Sequence, residues 1–353
     1  MASMNSAASG MISEVDPIQD SRWPRFLKSH PFSTVFHSQG WLESLHRTYG
    51  LKPFALTTAS TDEPIADALL GCRVDSWLSG VRLVSIPFSD HCQPLVKPGD
   101  NFVRLVNAMK ARMRNSEYME LRPISMPEGC PGDLNKSASF CLHRLDLRSS
   151  AGEIYSHFHR DCIQRRIQHA EREGLDYEIG ASDGILRRFY GLIALTRRRQ
   201  GLLPQPLSWF RNLVACVGKG LTIRIVSKAG VAIAGILTLQ FKDTLVYKYG
   251  ALDRRFSSTG GMQFLMWRAI QDAKADGLSA LDLGRSDWDN RGLLDFKDRW
   301  GAERSVIDYW RYSSPNCSPA AQTWPLAAAG RLFKYMPDFC QPFLAAALYR
   351  HYA

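Results

Sequence analysis

The sequence lacks several patterns that identify common classes of protein. Its eight cysteines are scattered, and no two of them form a Cys-x-x-Cys pair. A disulfide framework or a zinc site is therefore not expected, and a reducing cytoplasm fits the cysteine usage better. No uninterrupted apolar run reaches the length that a transmembrane helix needs. The sequence also has no Walker phosphate loop and no His-Glu-x-x-His helix, so we expect neither a P-loop nucleotidase nor a bound metal.

Acidic residues are too few to balance the basic ones. The chain has 34 Asp and Glu residues against 44 Lys and Arg residues, which gives a formal net charge of +10. This excess favours anionic partners, such as coenzyme or nucleotide phosphates, RNA, or an anionic membrane face. The length of 353 residues and a hydrophobic content of 45% are enough for two domains with cores of their own.

The beginning of the chain has no secretory pattern, because the first twenty residues contain neither a basic region nor an apolar core. We expect residues 1–30 to form a disordered tail. From residue 31 onward, apolar periodicity and turn residues predict two α/β domains with a similar element order, residues 31–150 and 151–312. We expect these domains to meet near residue 150 without sharing one sheet. Residues 313–353 are predicted to form an amphipathic helical tail that packs on the second domain or contacts a membrane surface.

One stretch, from Ser279 to Gly301, organises the functional prediction. The segment Ala280–Leu283 alternates like a strand and breaks at Gly284 into a polar loop. Asn290 then precedes a predicted helix that carries Lys297. Ligands of open α/β sheets bind beyond the carboxyl ends of the strands, so we expect Arg285, Ser286 and Lys297 to lie near a binding site.

The motif Asp282-Leu283-Gly284-Arg285-Ser286, followed by Phe296-Lys297 and Trp300-Gly301, resembles the FemAB-like acyl- and aminoacyltransferases, which are built on the GNAT (acyl-CoA N-acyltransferase) fold. The resemblance covers roughly residues 30 to 312 by element order and is specific in the second half. It implies two tandem GNAT-like domains with mixed sheets, in the α/β class. The sequence lacks the long helical hairpin of some peptidoglycan-bridge members. This absence weakens the case for an aminoacyl-tRNA donor and leaves a coenzyme A thioester as at least an equal candidate.

The loop that joins a predicted strand to a predicted helix, residues 254–261, is the candidate donor site. Small residues let backbone N–H groups approach a phosphate, and a helix N-terminus adds a favourable dipole. In the GNAT fold this position holds the coenzyme pyrophosphate. The candidate donor-binding residues are Arg255, Ser257, Thr259, Gly260 and Gly261, with Tyr249 on the preceding strand.

Candidate acceptor residues lie in three places: Arg165 and Arg166 on a basic helix, Tyr247, and Ser286. Tyr247 and Tyr249 alternate on one strand, so we expect both to face one side of the sheet and to line the acyl pocket or the core. In the first half, a Pro-Phe-Ser segment that resembles a loop of the family precedes Asp90 and His91, either of which is a further candidate contact for an acceptor amine.

These observations predict a cytoplasmic enzyme, an N-acyltransferase that requires no permanently bound cofactor and uses acyl-CoA as co-substrate. An amine of a small molecule, a sugar or a cell-envelope precursor attacks the acyl carbonyl. Lys297 and Arg285 are expected to hold anionic charge, and Asp282 to take the amine's proton. The alternatives are an aminoacyl-tRNA donor and a non-catalytic basic module that binds RNA or anionic lipid. Candidate partners therefore include tRNA and the inner membrane surface, where the enzyme would be peripheral.

Overall fold

A computed structural model describes residues 11–77, 80–97, 101–113, 116, 118–313 and 349. The first half contributes strands to a sheet and helices that pack on it. Its elements are β1 (Ser13–Val15), α1 (Trp23–Ser29), α2 (Gln39–Tyr49), β2 (Pro53–Thr57), β3 (Leu69–Ser76), β4 (Gly80–Val84), α3 (Asn101–Ala111), β5 (Tyr118–Leu121) and β6 (Asn135–Asp146).

The second half repeats this order after two short helices, with one further helix near its end. Its elements are α4 (Ala151–His157), a π-helical turn (Arg160–Gln164), α5 (Arg165–Arg172), β7 (Asp176–Gly180), α6 (Asp183–Arg199), α7 (Leu207–Val217), β8 (Leu221–Lys228), β9 (Val231–Phe241), β10 (Thr244–Leu252), a 3-10 turn (Arg254–Thr259), α8 (Gly261–Ala275), β11 (Ala280–Ser286), α9 (Arg291–Asp298) and β12 (Glu303–Ser313). The predicted mixed α/β class is confirmed.

Strand pairing follows the same scheme in both halves. Strands β2, β3 and β4 are antiparallel, and β4 then runs parallel to β5. Strands β8, β9 and β10 are antiparallel in the same way, and β10 runs parallel to β11. Helices α3 and α8 make the equivalent crossovers. The duplication that was predicted from element order is therefore present in the topology.

The two halves share one twelve-stranded sheet, in the order β1-β2-β3-β4-β5-β12-β6-β11-β10-β9-β8-β7. The two halves exchange their last strands. Strand β6 of the first half pairs with β11, and β12 of the second half pairs with β5. The expectation of separate sheets that meet near residue 150 was wrong, because element order along the chain does not specify which half receives a final strand.

The predicted disordered tail does not extend over residues 11–30. Strand β1 pairs with β2, and Trp23 of α1 is fully buried, with its indole N–H donating to the carbonyl oxygen of His37 at 2.9 Å. The predicted C-terminal helical tail lies almost entirely outside the described residues. Among the described residues, no helix combines the length and the apolar character needed to cross a bilayer.

Helices of the two halves also pack on each other. Gly40 of α2 lies so close to α7 that a Cβ atom there would be 2.7 Å from the carbonyl oxygen of Cys216. Beside this contact the rings of Trp41 and Trp209 meet edge to face, 5.2 Å apart. The joint core fixes the first half against β10, where the candidate site lies.

Candidate active site

The sheet opens between β10 and β11. The two strands pair only from Thr244 to Val246 and from Ala280 to Asp282, although both continue further. Beyond this point each strand has an irregularity, since β10 gains an extra residue at Lys248 against β9 and β11 shifts register against β6. Gly284, with φ of 71°, takes the left-handed conformation in the second irregularity. The parallel pair therefore separates beside Lys248 and Gly284.

Asp282 is buried at the start of this opening. One of its oxygens accepts a hydrogen bond from the backbone N–H of Gly284 at 2.7 Å, and the other accepts a hydrogen bond from Nε2 of His91 at 2.8 Å. An ionised carboxylate only accepts hydrogen bonds, so Nε2 is the protonated nitrogen of His91. Burial alone would raise the pKa of Asp282, but His91, the N–H of Gly284 and the charge of Arg144 together outweigh burial, and the pKa lies below its usual value. Both oxygens are engaged, which disfavours direct proton acceptance by Asp282.

Lys297 of α9 reaches into the same opening. Its ammonium donates to the carbonyl oxygen of Gly284 at 2.7 Å and to that of Arg285 at 3.2 Å. The side chain is buried, and burial lowers the pKa of Lys297 to about 8, although the carboxylates of Asp90 and Asp282 act in the opposite direction. The lysine thus carries a charge that is easily lost, next to the bulge of β11.

A second lysine lies across the opening. Lys248 donates to a carboxylate oxygen of Asp90 at 2.9 Å and to the carbonyl oxygen of Phe88 at 3.0 Å. Its ammonium also lies 5.0 Å from the ring centre of Phe36 and 5.4 Å from that of Trp41. The carboxylate of Asp90 would be 3.2 Å from a Cβ atom at Gly284, so a side chain at that position would displace it. Two lysines and two carboxylates therefore share this opening.

The other residues predicted on β11 face different surroundings. The guanidinium of Arg285 stacks on Phe140 at 4.0 Å, and its side chain is 34% exposed. It is therefore directed toward β6 and β12 rather than to Asp282. Ser286 is buried, and its hydroxyl has no hydrogen-bond partner among the described residues.

The two tyrosines of β10 do not face one side of the sheet, so that prediction was wrong. Tyr249 lies in the core with α7 and hydrogen-bonds Trp209 at 2.8 Å, whereas Tyr247 packs with the core beside α8. The extra residue, Lys248, interrupts the alternation between them. Burial raises the pKa of both phenols.

The predicted donor loop follows β10 as a 3-10 turn and leads into α8 at Gly261. The guanidinium of Arg255 is 77% exposed and pairs with Asp253 at 2.6 Å. Thr259 accepts the N–H of Gly261 at 3.3 Å, while Ser257 is exposed in the turn. The loop places these residues together at the carboxyl end of β10.

Helix α5 packs closely on this loop. A Cβ atom at Gly260 would be 2.2 Å from the carbonyl oxygen of Arg166, and one at Gly261 would be 2.9 Å from Val226. The guanidinium of Arg166 donates to the carbonyl oxygen of Ser258 at 2.7 Å. Arg166 therefore lies with the donor loop, apart from Tyr247 and Ser286, and its neighbour Arg165 is exposed and pairs with Asp161.

The equivalent position in the first half carries an ionic cluster. Glu120 takes the position of Asp282 in the parallel pair, opposite Val84. Arg122 donates to Glu120 at 3.0 Å and to the carbonyl oxygen of Ile86 at 3.1 Å, and Arg311 of β12 donates to the same carboxylate at 2.9 Å. Glu120 is thus held by two arginines, whereas no arginine hydrogen-bonds Asp282 among the described residues.

Sequence reasoning brought Asp282, Gly284 and Lys297 together but did not assign a role to Lys248. The available signal was a single cation inside the otherwise apolar run of β10. His91 was noted only for its loop, and its partner Asp282 is 191 residues away, a contact that no local pattern reports.

Comparison with known proteins identifies the class. Residues 157–298 match a family model described as an acetyltransferase (GNAT) domain. The chain is similar in structure to FemX, with 13% identity and a TM-score of 0.63 over 86% of this chain and 97% of that one. It is also similar to a tandem GNAT protein from the clavulanic acid biosynthesis pathway, with 13% identity and a TM-score of 0.53 over 87% and 99% of the two chains.

A conserved protein of unknown function from Bacteroides thetaiotaomicron shares the architecture, with 11% identity and a TM-score of 0.51 over 85% of this chain and 99% of that one. No curated protein matches the chain. The protein is thus a GNAT-fold transferase. Residues 157–298 carry its GNAT domain, and the chain shares the fold of FemX and of the tandem GNAT protein, in line with the resemblance stated from the sequence motif.

Proposed function

We propose that the protein transfers an acyl group from a coenzyme A thioester to an amine of a small molecule, a sugar or a cell-envelope precursor. The observation that carries this proposal is the opening between β10 and β11, which holds Lys248, Lys297, Asp90 and Asp282. Acyl transfer needs stabilisation of an anionic intermediate and removal of one proton from the amine. The opening therefore supplies cations and carboxylates in one place, with Lys297 and Asp282 buried and Lys248 and Asp90 partly buried.

The donor would lie along β10. Beyond Val246 this strand no longer pairs with β11, so its free edge can hydrogen-bond the two amides of a pantetheine arm. The same strand leads to the 3-10 turn and the N-terminus of α8, where anionic phosphates are favoured. Arg255, Ser257 and Thr259 are the proposed side-chain contacts there, with Gly260 and Gly261 shaping the turn. The ionic cluster around Glu120 at the equivalent position of the first half supports one donor site per chain.

The reaction then follows from the groups at the opening. The neutral amine forms a bond to the carbonyl carbon, and the ammonium of Lys297 stabilises the developing oxyanion. The carbon–sulfur bond breaks and coenzyme A leaves as the thiolate. The proton that the amine loses passes to His91, which Asp282 orients, and then to the thiolate. Arg285 would contribute positive charge from the side of β6.

An aminoacyl-tRNA donor is the second candidate. The exposed arginines around the donor loop and the net charge of +10 would also suit an RNA backbone. We set aside a non-catalytic basic module, because the chain is a transferase. If the acceptor is a cell-envelope precursor, we propose that the enzyme is cytoplasmic and binds the inner membrane surface peripherally.

Calorimetric titration of coenzyme A tests the donor assignment. We expect Arg255→Ala to weaken binding about tenfold, the size of one lost charge-assisted phosphate contact. Arg148→Ala is the matched control, because Arg148 also pairs with an aspartate two residues earlier, and its side chain is 78% exposed. Equal affinity of both variants would move the phosphates elsewhere. Absence of binding to the wild type, with binding of charged tRNA, would favour the second donor.

A further inference from the structure

A cavity of about 340 Å³ lies between the two halves, on the side of Asp282 away from the donor loop. The first half contributes residues 31–35, while the second half contributes the end of β9 and the first residues of β10. Apolar groups such as Phe32 and Val246 line part of it, and polar groups line the rest. Its volume suits a small organic molecule of about the size of a monosaccharide or a short peptide.

The buried pair of the active site forms part of the wall of this cavity. Both His91 and Asp282 line it, and their 2.8 Å hydrogen bond joins the two halves of the chain. The second ring nitrogen of His91, Nδ1, is buried and has no hydrogen-bond partner among the described residues. A neutral imidazole whose Nε2 donates to a carboxylate carries a lone pair on Nδ1. His91 therefore has an unused acceptor at the boundary between the cavity and the reaction centre.

A cation without a close partner among the described residues lies on the same wall. Arg144 of β6 lies opposite Asp282 in the sheet register and lines the cavity. Its side chain is exposed, and within the described part of the chain it has no ion pair closer than 4 Å and no side-chain hydrogen bond. Its charge acts at longer range on Asp282 and Asp243, and it helps to lower the pKa of both carboxyl groups. The neighbouring charged groups are engaged, since Lys242 donates to the carbonyl oxygen of His30 and Asp243 accepts from Ser279. Arg144 is thus the side chain that is available to bind an anion from a ligand.

We propose that this cavity holds the acceptor, and that the acceptor is a small primary amine that also carries an anionic group, either a phosphate or a carboxylate. This proposal rests on the proposed acyltransferase function and names the class of its substrate. The anionic group binds Arg144, the carbon skeleton contacts the apolar part of the wall, and the amine points to the boundary formed by His91. A planar guanidinium accepts phosphate or carboxylate in a two-pronged geometry, so it fixes the orientation of the amine as well as its affinity.

The geometry also separates the two substrates. The proposed phosphate site lies at the carboxyl end of β10, and the cavity lies at the amino end of the same strand. The thioester carbon and the amine would then meet at the opening beside Gly284. The amine nitrogen bonds to the acyl carbon, the sulfur leaves, and one proton moves from the amine to the coenzyme A thiolate through His91.

Three probes separate the parts of the proposal: D-glucosamine, D-glucosamine 6-phosphate and muramic acid. They share an amino sugar and differ in carrying no anion, a phosphate or a carboxylate. Calorimetric titration of the full chain without any donor measures acceptor binding alone. We expect one of the two anionic probes to bind at least about tenfold more tightly than glucosamine, and the tighter one identifies the anion.

Arg144→Ala should remove this preference and leave the weak binding of glucosamine unchanged, and Arg144→Lys should restore part of it. Arg148→Ala, a nearby exposed arginine that does not line the cavity, should bind like the wild type. Equal binding of all three probes, or an anionic preference that survives Arg144→Ala, would overturn the proposal. Because no donor is present, Arg144-dependent binding in a protein that fails to bind coenzyme A would support the acceptor site and contradict only the donor assignment.

Discussion

Lys297 is a buried lysine, and burying its positive charge opposes folding. Its ammonium has two carbonyl partners, but burial still lowers its pKa to about 8. The charged form is therefore less stable in the folded protein than in water. Local arrangements that oppose stability are concentrated at functional sites, and this supports a catalytic role for the residue.

Replacing Lys297 by Met should separate function from stability. We expect kcat/KM to fall at least about 100-fold, because the oxyanion loses its cation. The Tm at pH 7 should stay equal or rise, because a buried charge is removed.

For the wild type, kcat/KM should decrease above about pH 8 as the ammonium loses its proton. The folded pKa lies below the unfolded one, so the unfolded chain binds more protons between these values, and the wild type should gain stability with rising pH in that range.

Steady-state kinetics and thermal unfolding from pH 6 to 10 check these outcomes together. A Met variant that loses several degrees of Tm at pH 7, with activity reduced in proportion, would return Lys297 to a structural role.

At the scale of elements, the donor loop and α5 form one unit. Gly260 has φ of 77°, and a Cβ atom there would be 2.2 Å from the carbonyl oxygen of Arg166. The sequence interpretation assigned this glycine to the approach of a ligand. The structure gives it a packing reason that would hold without any ligand.

Gly260→Ala should lower the free energy of unfolding by about 2 kcal/mol or more, because the left-handed conformation and the contact with α5 are both unfavourable to a side chain. Gly191→Ala, in the middle of α6 where a Cβ atom meets nothing within 4 Å, should be neutral or stabilising. Denaturant unfolding of both variants measures the difference. A stable Gly260→Ala protein that no longer binds coenzyme A would show that ligand approach is the reason for this glycine.

At the scale of the whole molecule, the exchanged strands make each half depend on the other. Residues 151–353 lack β6, so β11 would have an open edge, and residues 1–150 lack β12, which covers β5. We expect neither piece to unfold cooperatively when it is produced alone. Co-expression of the two pieces should give a stable 1:1 complex with one thermal transition, measured by size-exclusion chromatography and calorimetry. A monomeric, cooperatively folded 151–353 fragment would show that the exchange is not needed for stability.

The sequence predicts local features well where one signal is sufficient. The bounds of α2, Gln39–Tyr49, follow from the cap at Ser38 and the left-handed Gly50. The motif of β11 and α9 located Asp282 and Lys297 for the same reason, since strand, break and helix are adjacent in the chain. Features that depend on distant partners were missed. The bulge at Lys248 needs the register of β9, the burial of Trp23 needs a second element, and the pairing of His91 with Asp282 needs both halves in place.

The exchanged strands also have a consequence for synthesis. Strand β12 begins at Glu303, after nearly all of the rest of the sheet has been made. Until it arrives, β5 and one side of β6 lack their partner, so the first half cannot complete its sheet while the ribosome is still making the second. A tandem protein of this design must therefore fold late and as one piece, with two unpaired strand edges exposed in the nascent chain. The same exchange of strands that joins the two halves in one sheet lengthens the time in which the nascent chain is exposed to aggregation and to chaperone binding.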